Sequence, residues 1–220
     1  DDLRAIATER VGMILIPKCE SVEQVRAVAQ ELDRIKAAAR PEDREAVDAI
    51  LFMPILESAL GVFRALDIAL STPRIAALTI GLEDYTADLG CARTREGRES
   101  FWARSQVVNA ARAAGVQAID TVFSDVGDPE GLRTSVREAR SLGFEGKGCI
   151  HPRQIGPVHE EFRPTEDEEK KARAIVAAFE AASARGEAVV SLGTKMIDPP
   201  VVKRAVRVLK MLDAYGVRQG

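Results

Sequence analysis

Apolar positions in this chain fall into two alternating patterns. Short continuous runs occur at Val11 to Ile16, Ala49 to Leu56 and Ile75 to Ile80; Val116 to Val122, with an acid near its C-terminal end, and a short stretch from Gly146 read as a fourth and a fifth strand. Runs of this kind predict parallel strands buried on both faces. Between them the apolar residues take helical spacing. Ser21 opens a helix with Glu23 and Gln24 in its first turn and Val22, Val25, Val28, Ala29 and Leu32 along it. Further helices are predicted over Ser58 to Ala69, with Leu60, Phe63, Ala65, Leu66 and then Leu70 for the inner face, and over Gly97 to Gly115 and Pro129 to Gly143. A long amphipathic helix follows over Thr165 to Arg185, and a last one over about Pro200 to Tyr215. A helical tail, Asp2 to Glu9, precedes the first strand, and Val189 to Leu192 predicts a short strand apart from the others. Gly81 to Arg95 is read as a connection, long for an α/β unit and therefore a functional candidate.

Five βα units in one direction predict a parallel sheet with right-handed crossovers. No Gly-rich dinucleotide fingerprint and no phosphate-cradling Gly-Lys-Ser/Thr run follows any strand. That favours a barrel over a doubly wound sheet, with too few strands here to close it.

Two of the predicted strands end abruptly in acid. Ile50 to Leu56 runs into Glu57, and Ile75 to Ile80 runs through Gly81 into Glu83 and Asp84. The C-terminal ends of strands are where a parallel α/β barrel carries its chemistry. Carboxylates without a nearby Cys/His cluster suit a hard cation that keeps several waters, and Mg²⁺ fits best. The competing explanation is that each acid caps or complements the start of a helix. A pair in register on neighbouring units favours a site.

Composition narrows the classes. The chain has 220 residues, 46% apolar and 30% charged, enough for one large globular domain. A net charge of −3 with both signs interspersed gives no footprint for nucleic acid or an anionic membrane. Three cysteines, Cys19, Cys91 and Cys149, without close-set pairs, predict reduced thiols and a cytoplasmic protein. No apolar run reaches membrane-spanning length, and the first residues have no signal-peptide character.

A set of motifs runs in order along nearly the whole chain: Ile16-Pro17-Lys18, Glu57-Ser58-Ala59-Leu60-Gly61, Gly81-Leu82-Glu83-Asp84-Tyr85, Ala118-Ile119-Asp120-Thr121-Val122-Phe123-Ser124-Asp125, Gly143-Phe144-Glu145-Gly146-Lys147, His151-Pro152-Arg153-Gln154-Ile155 and Met196-Ile197-Asp198-Pro199-Pro200-Val201. Together they resemble the citrate lyase β-subunit group and its malyl-thioester and citramalyl-thioester lyase relatives. The stretch through Ser124-Asp125, with Pro152 to Ile155 and Val190 to Leu192, is more similar to the β-subunits. The resemblance implies a TIM (β/α)8-type barrel. Residues 1–186 would supply about strands 4 to 8 of it, without the first three or so. Residues 187–220 would form a C-terminal extension and helix packing on or reaching a neighbouring subunit.

By the same resemblance the chain is a Mg-dependent carbon-carbon lyase that cleaves a citryl thioester, on CoA or a carrier protein, to oxaloacetate and an acetyl thioester. The alternative is malyl-CoA or citramalyl-CoA cleavage to glyoxylate or pyruvate. An alternative of another class is a non-catalytic assembly subunit. Glu57 and Asp84 fall on the family's Mg²⁺ ligands, and Asp198 on an aspartate that a neighbouring subunit supplies for proton transfer at the thioester enolate. Backbone amides around Glu83 and Asp84, with Gly81 allowing close approach, would hold the keto-acid carboxylate. Lys18 would either draw in the anionic substrate or be a salt-bridged structural lysine. Asp120 fits a place behind the metal ligands or a buried structural acid, and His151 a loop cap. Implied partners are an acyl-CoA or acyl-carrier-protein thioester, citrate lyase α and γ subunits, and copies of the same chain in a trimer or hexamer.

Overall fold

The computed structural model describes residues 2–7, 11–184, 186, 190–192 and 195–217, so Glu9, Arg185 and Val189 of the sequence expectations lie outside the described residues. Residue contacts divide the chain into two compact units, Asp1–Val158 and His159–Gly220. Residues 166–183 of the helix predicted over Thr165 to Arg185, grouped by sequence with the barrel strands, fall in the second.

The first unit opens with α1 (Asp2–Ile6) and β1 (Met13–Ile16), followed by α2 (Val22–Ala38), α3 (Arg44–Asp48) and β2 (Leu51–Leu56). Two short helices, α4 (Ala59–Phe63) and α5 (Ala65–Ala69), lead to β3 (Ala77–Ile80) and α6 (Leu82–Leu89). Then come α7 (Arg98–Ala114), β4 (Gln117–Asp120), α8 (Pro129–Leu142), β5 (Gly146–Lys147) and α9 (Ile155–Phe162), the last crossing into the second unit. The five strands pair in parallel in the order β1-β2-β3-β4-β5. A sequential order has no point of reversal, so the cofactor crevice of a doubly wound sheet does not arise.

Local chemistry explains most boundaries. Ser21 and Gln24 form a reciprocal capping box at the start of α2, and Asp128 caps α8 with Pro129 at its first position. One sheet face carries the core: Ile14, Ile16, Phe52, Leu56, Leu78 and Ile80 are buried with Val25, Leu32, Val62, Ile68 and Val107 of the helices.

Three expectations are corrected here. Among the described strands β1 pairs with β2 alone; its burial alternates and Leu15 is 50% exposed, so in this chain the run is buried on one face. The helix over Ser58 to Ala69 breaks at Arg64, and its packed face is Val62, Ala65, Ile68 and Ala69. Leu60, Phe63, Leu66 and Leu70 point outward; both faces are apolar, so periodicity could not choose between them. Gly81 to Arg95 is not an irregular connection, because α6 occupies most of it. Leu82, Tyr85 and Thr86 bury one side of that helix, and Gly90 ends it in the left-handed conformation at φ 72°.

The second unit contains α10 (Glu166–Ser183), an antiparallel pair β6 (Val190–Leu192) and β7 (Lys195–Ile197), and α11 (Pro199–Val217). Thr165 and Glu168 box the start of α10. Ala172, Ile175, Ile197 and Ala205 form its small core, with Phe179, Val202 and Leu209 packed against it. Among the described residues no helix is long and apolar enough to cross a membrane.

Candidate active site

Three chain segments meet at the C-terminal ends of β1, β2 and β3. After β1, the Cys19 N–H donates to the Ile55 carbonyl at 3.0 Å, which seats residues 17–19 on the end of β2. Gly61 makes that seating close: a Cβ there would lie 2.6 Å from the Cys19 carbonyl oxygen. Ser58 caps α4 by accepting from the Gly61 N–H at 3.1 Å. After β3, the Gly81 N–H donates to the Leu56 carbonyl at 3.1 Å. Glu57 therefore leaves β2 flanked on both sides by backbone.

Around Glu57 the fit is tight. Its Oε1 accepts from the Lys18 N–H at 2.6 Å, and a Cβ on Gly81 would lie 2.7 Å from its Oε2. The Lys18 ammonium reaches Asp84 Oδ2 at 3.4 Å, with both side chains well exposed. Lys18, Glu57, Gly81 and Asp84 are thus brought together, one backbone and one side-chain contact of Lys18 linking the two acids.

The first turn of α6 carries the rest. Gly81, at the N-cap, has no side chain to satisfy the amides that a helix start leaves open. The Leu82 N–H is taken by Thr121 Oγ1 at 3.3 Å, and the Tyr85 N–H by the Gly81 carbonyl. The N–H groups of Glu83 and Asp84 lie between these, at the positive end of the helix dipole. The Glu83 carboxylate is itself held by Arg93 at 2.6 Å, and Arg93 also donates to the Val122 carbonyl at 3.1 Å.

Asp88 was not singled out from sequence. One turn beyond Asp84, it accepts the Ala59 N–H at 2.8 Å and ties α6 to the start of α4. Reading Leu82 to Leu89 as a helix would have found it, since residues four apart share a face. The Arg93–Glu83 pair carried no signal, because ten residues and a helix end separate its members.

Asp120 has a different environment. It is fully buried and accepts from Arg104 at 3.0 and 3.1 Å and from Lys147 at 2.7 Å, while Arg104 also pairs with Glu138 at 3.2 Å. Burial pushes the Lys147 ammonium below its ordinary value, and Asp120 opposes that shift. With three charge-assisted contacts inside this network, Asp120 has the surroundings of a structural acid. A polar cavity of ≈ 490 Å³ opens over it, lined by Glu83, Arg93, Ser100, Arg104, Ser124 and Ser135 among others. Lys18, Glu57 and Asp84 do not line this cavity. His151 caps the short turn Pro152–Gln154, its Nδ1 accepting from the Arg153 N–H.

Asp198 lies in the second unit, where its Oδ1 and its carbonyl both accept from the Val201 N–H, at 3.1 and 3.0 Å, and start α11 ahead of Pro199 and Pro200.

The donor chemistry can be tested against a metal. Glu57 and Asp84 offer hard carboxylate oxygens, and the missing Cβ of Gly81 leaves room beside Glu57 Oε2. Among the described residues no group of three or more His, Cys, Asp or Glu could hold an ion. Two protein carboxylates with the remaining ligands from water and substrate is the habit of Mg²⁺ rather than Zn²⁺ or Ca²⁺. The residues fit that ion.

A parallel α/β sheet with paired carboxylates at the C-terminal ends of adjacent strands fits the class of α/β proteins that hold a hard divalent cation there. The comparisons make it specific. The model of the HpcH/HpaI aldolase/citrate lyase family matches residues 1–152, and the chain belongs to that family, which includes oxo-acid lyases. It is 38% identical to the citrate lyase subunit beta of Leuconostoc mesenteroides subsp. cremoris, over 97% of this chain and 70% of that one. It is 33% identical to an L-malyl-CoA/beta-methylmalyl-CoA lyase of Cereibacter sphaeroides, over 97% of this chain and 72% of that one. The crystal structure of protein CitE from Mycobacterium tuberculosis, in complex with magnesium, acetoacetate and coenzyme A, superposes with a TM-score of 0.71 at 29% identity, covering 91% of this chain and 68% of that one.

Proposed function

We propose that this chain is a Mg-dependent citryl-thioester lyase, its five strands an arc of a (β/α)8 barrel and its product pair oxaloacetate and an acetyl thioester. The observation that carries the proposal is the placement of Glu57 and Asp84 at the ends of adjacent strands with Lys18 in contact with both.

In this reading Glu57 and Asp84 hold the metal. Bound there, Mg²⁺ would supply charge stabilisation at the substrate hydroxyl oxygen that becomes the keto oxygen. The open Glu83 and Asp84 amides would orient the adjacent carboxylate, with Gly81 admitting it to the backbone. Lys18 would add positive charge for the anionic substrate. Cleavage breaks the bond between the hydroxyl-bearing carbon and the thioester α-carbon. The hydroxyl proton passes to water, from which Asp198 takes up the proton it will deliver; the oxygen becomes the carbonyl, and the bond pair moves onto the thioester as an enolate. Asp198 from a neighbouring copy then protonates the enolate carbon as general acid. Charge is absorbed by the thioester and at the keto oxygen, so no lysine Schiff base is required.

CoA or a carrier-protein thioester, α and γ subunits of a citrate lyase complex, and a trimer or hexamer of this chain complete the reading, with the cytoplasm as its place. The malyl-CoA lyase relative motivates a second reading, cleavage of malyl-CoA or citramalyl-CoA. The discriminating assay is oxaloacetate release from citryl-CoA, followed by NADH oxidation with coupled malate dehydrogenase, with and without Mg²⁺. Metal-dependent release is expected. Glyoxylate or pyruvate from the shorter hydroxyacyl thioesters, with no oxaloacetate, would move the chain to the second reading. No product from any thioester, with partner-subunit binding unchanged in Glu57→Ala, would make it a non-catalytic assembly subunit.

A further inference from the structure

Lys18 is the only non-glycine among the described residues with a positive φ, at 48°. The left-handed region costs an L-residue free energy and persists only where its neighbours impose it. Here they do: Gln24 Nε2, from the capping box of α2, donates to the Lys18 carbonyl at 3.2 Å, and the next N–H is tied to the Ile55 carbonyl. The result of the strain is specific. It aims the Lys18 N–H at Glu57 Oε1, 2.6 Å away, while the ammonium of the same residue lies 3.4 Å from Asp84 Oδ2.

We infer that Lys18 is a positioning residue for the carboxylate pair: its left-handed backbone holds Glu57 in place, and its ammonium neutralises Asp84 until a divalent cation takes over that charge. The inference rests on the reading that Glu57 and Asp84 hold Mg²⁺. It differs from a grip on substrate, because it acts in the substrate-free protein. Backbone and side chain then have opposite effects on the metal, the first preparing a ligand and the second competing for one.

Substitution separates the two. Lys18→Gly deletes the ammonium and adopts the left-handed conformation freely. Lys18→Val deletes it too, but a β-branched residue is the least tolerant of that conformation, so the N–H turns away from Glu57. The experiment is calorimetric titration with Mg²⁺, without substrate and at low ionic strength, of the wild type, both variants and Glu57→Ala, with circular dichroism to verify folding. Lys18→Gly should bind about two- to fivefold more tightly than the wild type, the range an exposed ion pair spans, and added salt should close that gap. Lys18→Val should bind about tenfold more weakly than Lys18→Gly. If Lys18→Val does not fold, the comparison of Lys18→Gly with the wild type decides. Equal affinities for wild type and Lys18→Gly, with binding lost in Glu57→Ala, would overturn the inference and leave the metal site standing. Binding unaffected by Glu57→Ala would overturn the metal site and the inference with it.

Discussion

At the scale of single residues, the site depends on atoms that are missing as much as on those present. Gly81 has φ −105°, open to any residue, so its glycine is required by space and not by backbone freedom. In Gly81→Ala the added methyl would sit 2.7 Å from Glu57 Oε2 and 2.9 Å from its Cβ. Relieving such overpacking costs about 1–3 kcal/mol. The Glu57 carboxylate can swing away but its Cβ cannot, so backbone must shift as well, and the expected outcome is an Mg²⁺ affinity lowered about tenfold or more together with a lower urea midpoint; calorimetry and urea unfolding measure the two. Cys19 offers a pH test. It is fully buried, and burial raises its thiol above the ordinary 9.0, with Ser21 opposing and Glu20 adding to the rise. An acid whose folded pKa is raised keeps its proton in the native state after the unfolded chain has lost it. Its contribution is therefore intact below pH 9 and is lost as pH rises past that value. Cys19→Ser should flatten the alkaline side of the stability–pH curve, and an alkylating reagent at pH 8 should label exposed Cys91 well before Cys19.

At the scale of elements, α7, β4, α8 and β5 are joined by one buried charge network. Asp120 on β4 is the single acid between Arg104 on α7 and Lys147 on β5, and Glu138 on α8 holds the far side of Arg104. Removing Asp120 leaves buried Lys147 uncompensated and Arg104 with Glu138 alone. Asp120→Ala should cost about 3–5 kcal/mol, the range for breaking a buried pair from one side, measured by urea unfolding. Mg²⁺ affinity in the fraction that remains native should be nearly unchanged, since the network does not touch Glu57. A loss of affinity matching Glu57→Ala would instead make Asp120 part of the metal's support. Asp120 is the last residue of β4, and Thr121, the next residue, accepts the first amide of α6.

At the scale of the molecule, metal binding and stability are linked. A ligand that binds only the native state adds about 2.7 kcal/mol at a hundredfold excess over its Kd, or about 5–10 °C in Tm for a unit of this size. Mg²⁺ should raise the Tm of the wild type by that order and leave Glu57→Ala and Asp84→Ala unshifted. Equal shifts in all three would remove both acids from the site. Much of this architecture was legible in the chain. The first three strands follow from continuous apolar runs, the helix starts from Ser21, Asp128 and Thr165, and the candidate acids from runs that stop at Glu57 and at Gly81 to Asp84. These are local signals, set by side-chain chemistry within a few residues, and the sequence alone determines them. What it left open depends on contacts between distant segments. Which apolar face of residues 59–70 packs, which residues of β1 are covered, and that Asp88 reaches Ala59 are settled by neighbours from other elements. The same holds for the strain at Lys18, since Gln24 and Ile55 impose it and nothing in Pro17-Lys18-Cys19 encodes it. Only the assembled sheet brings the carbonyls and amides close enough to bend that residue onto Glu57.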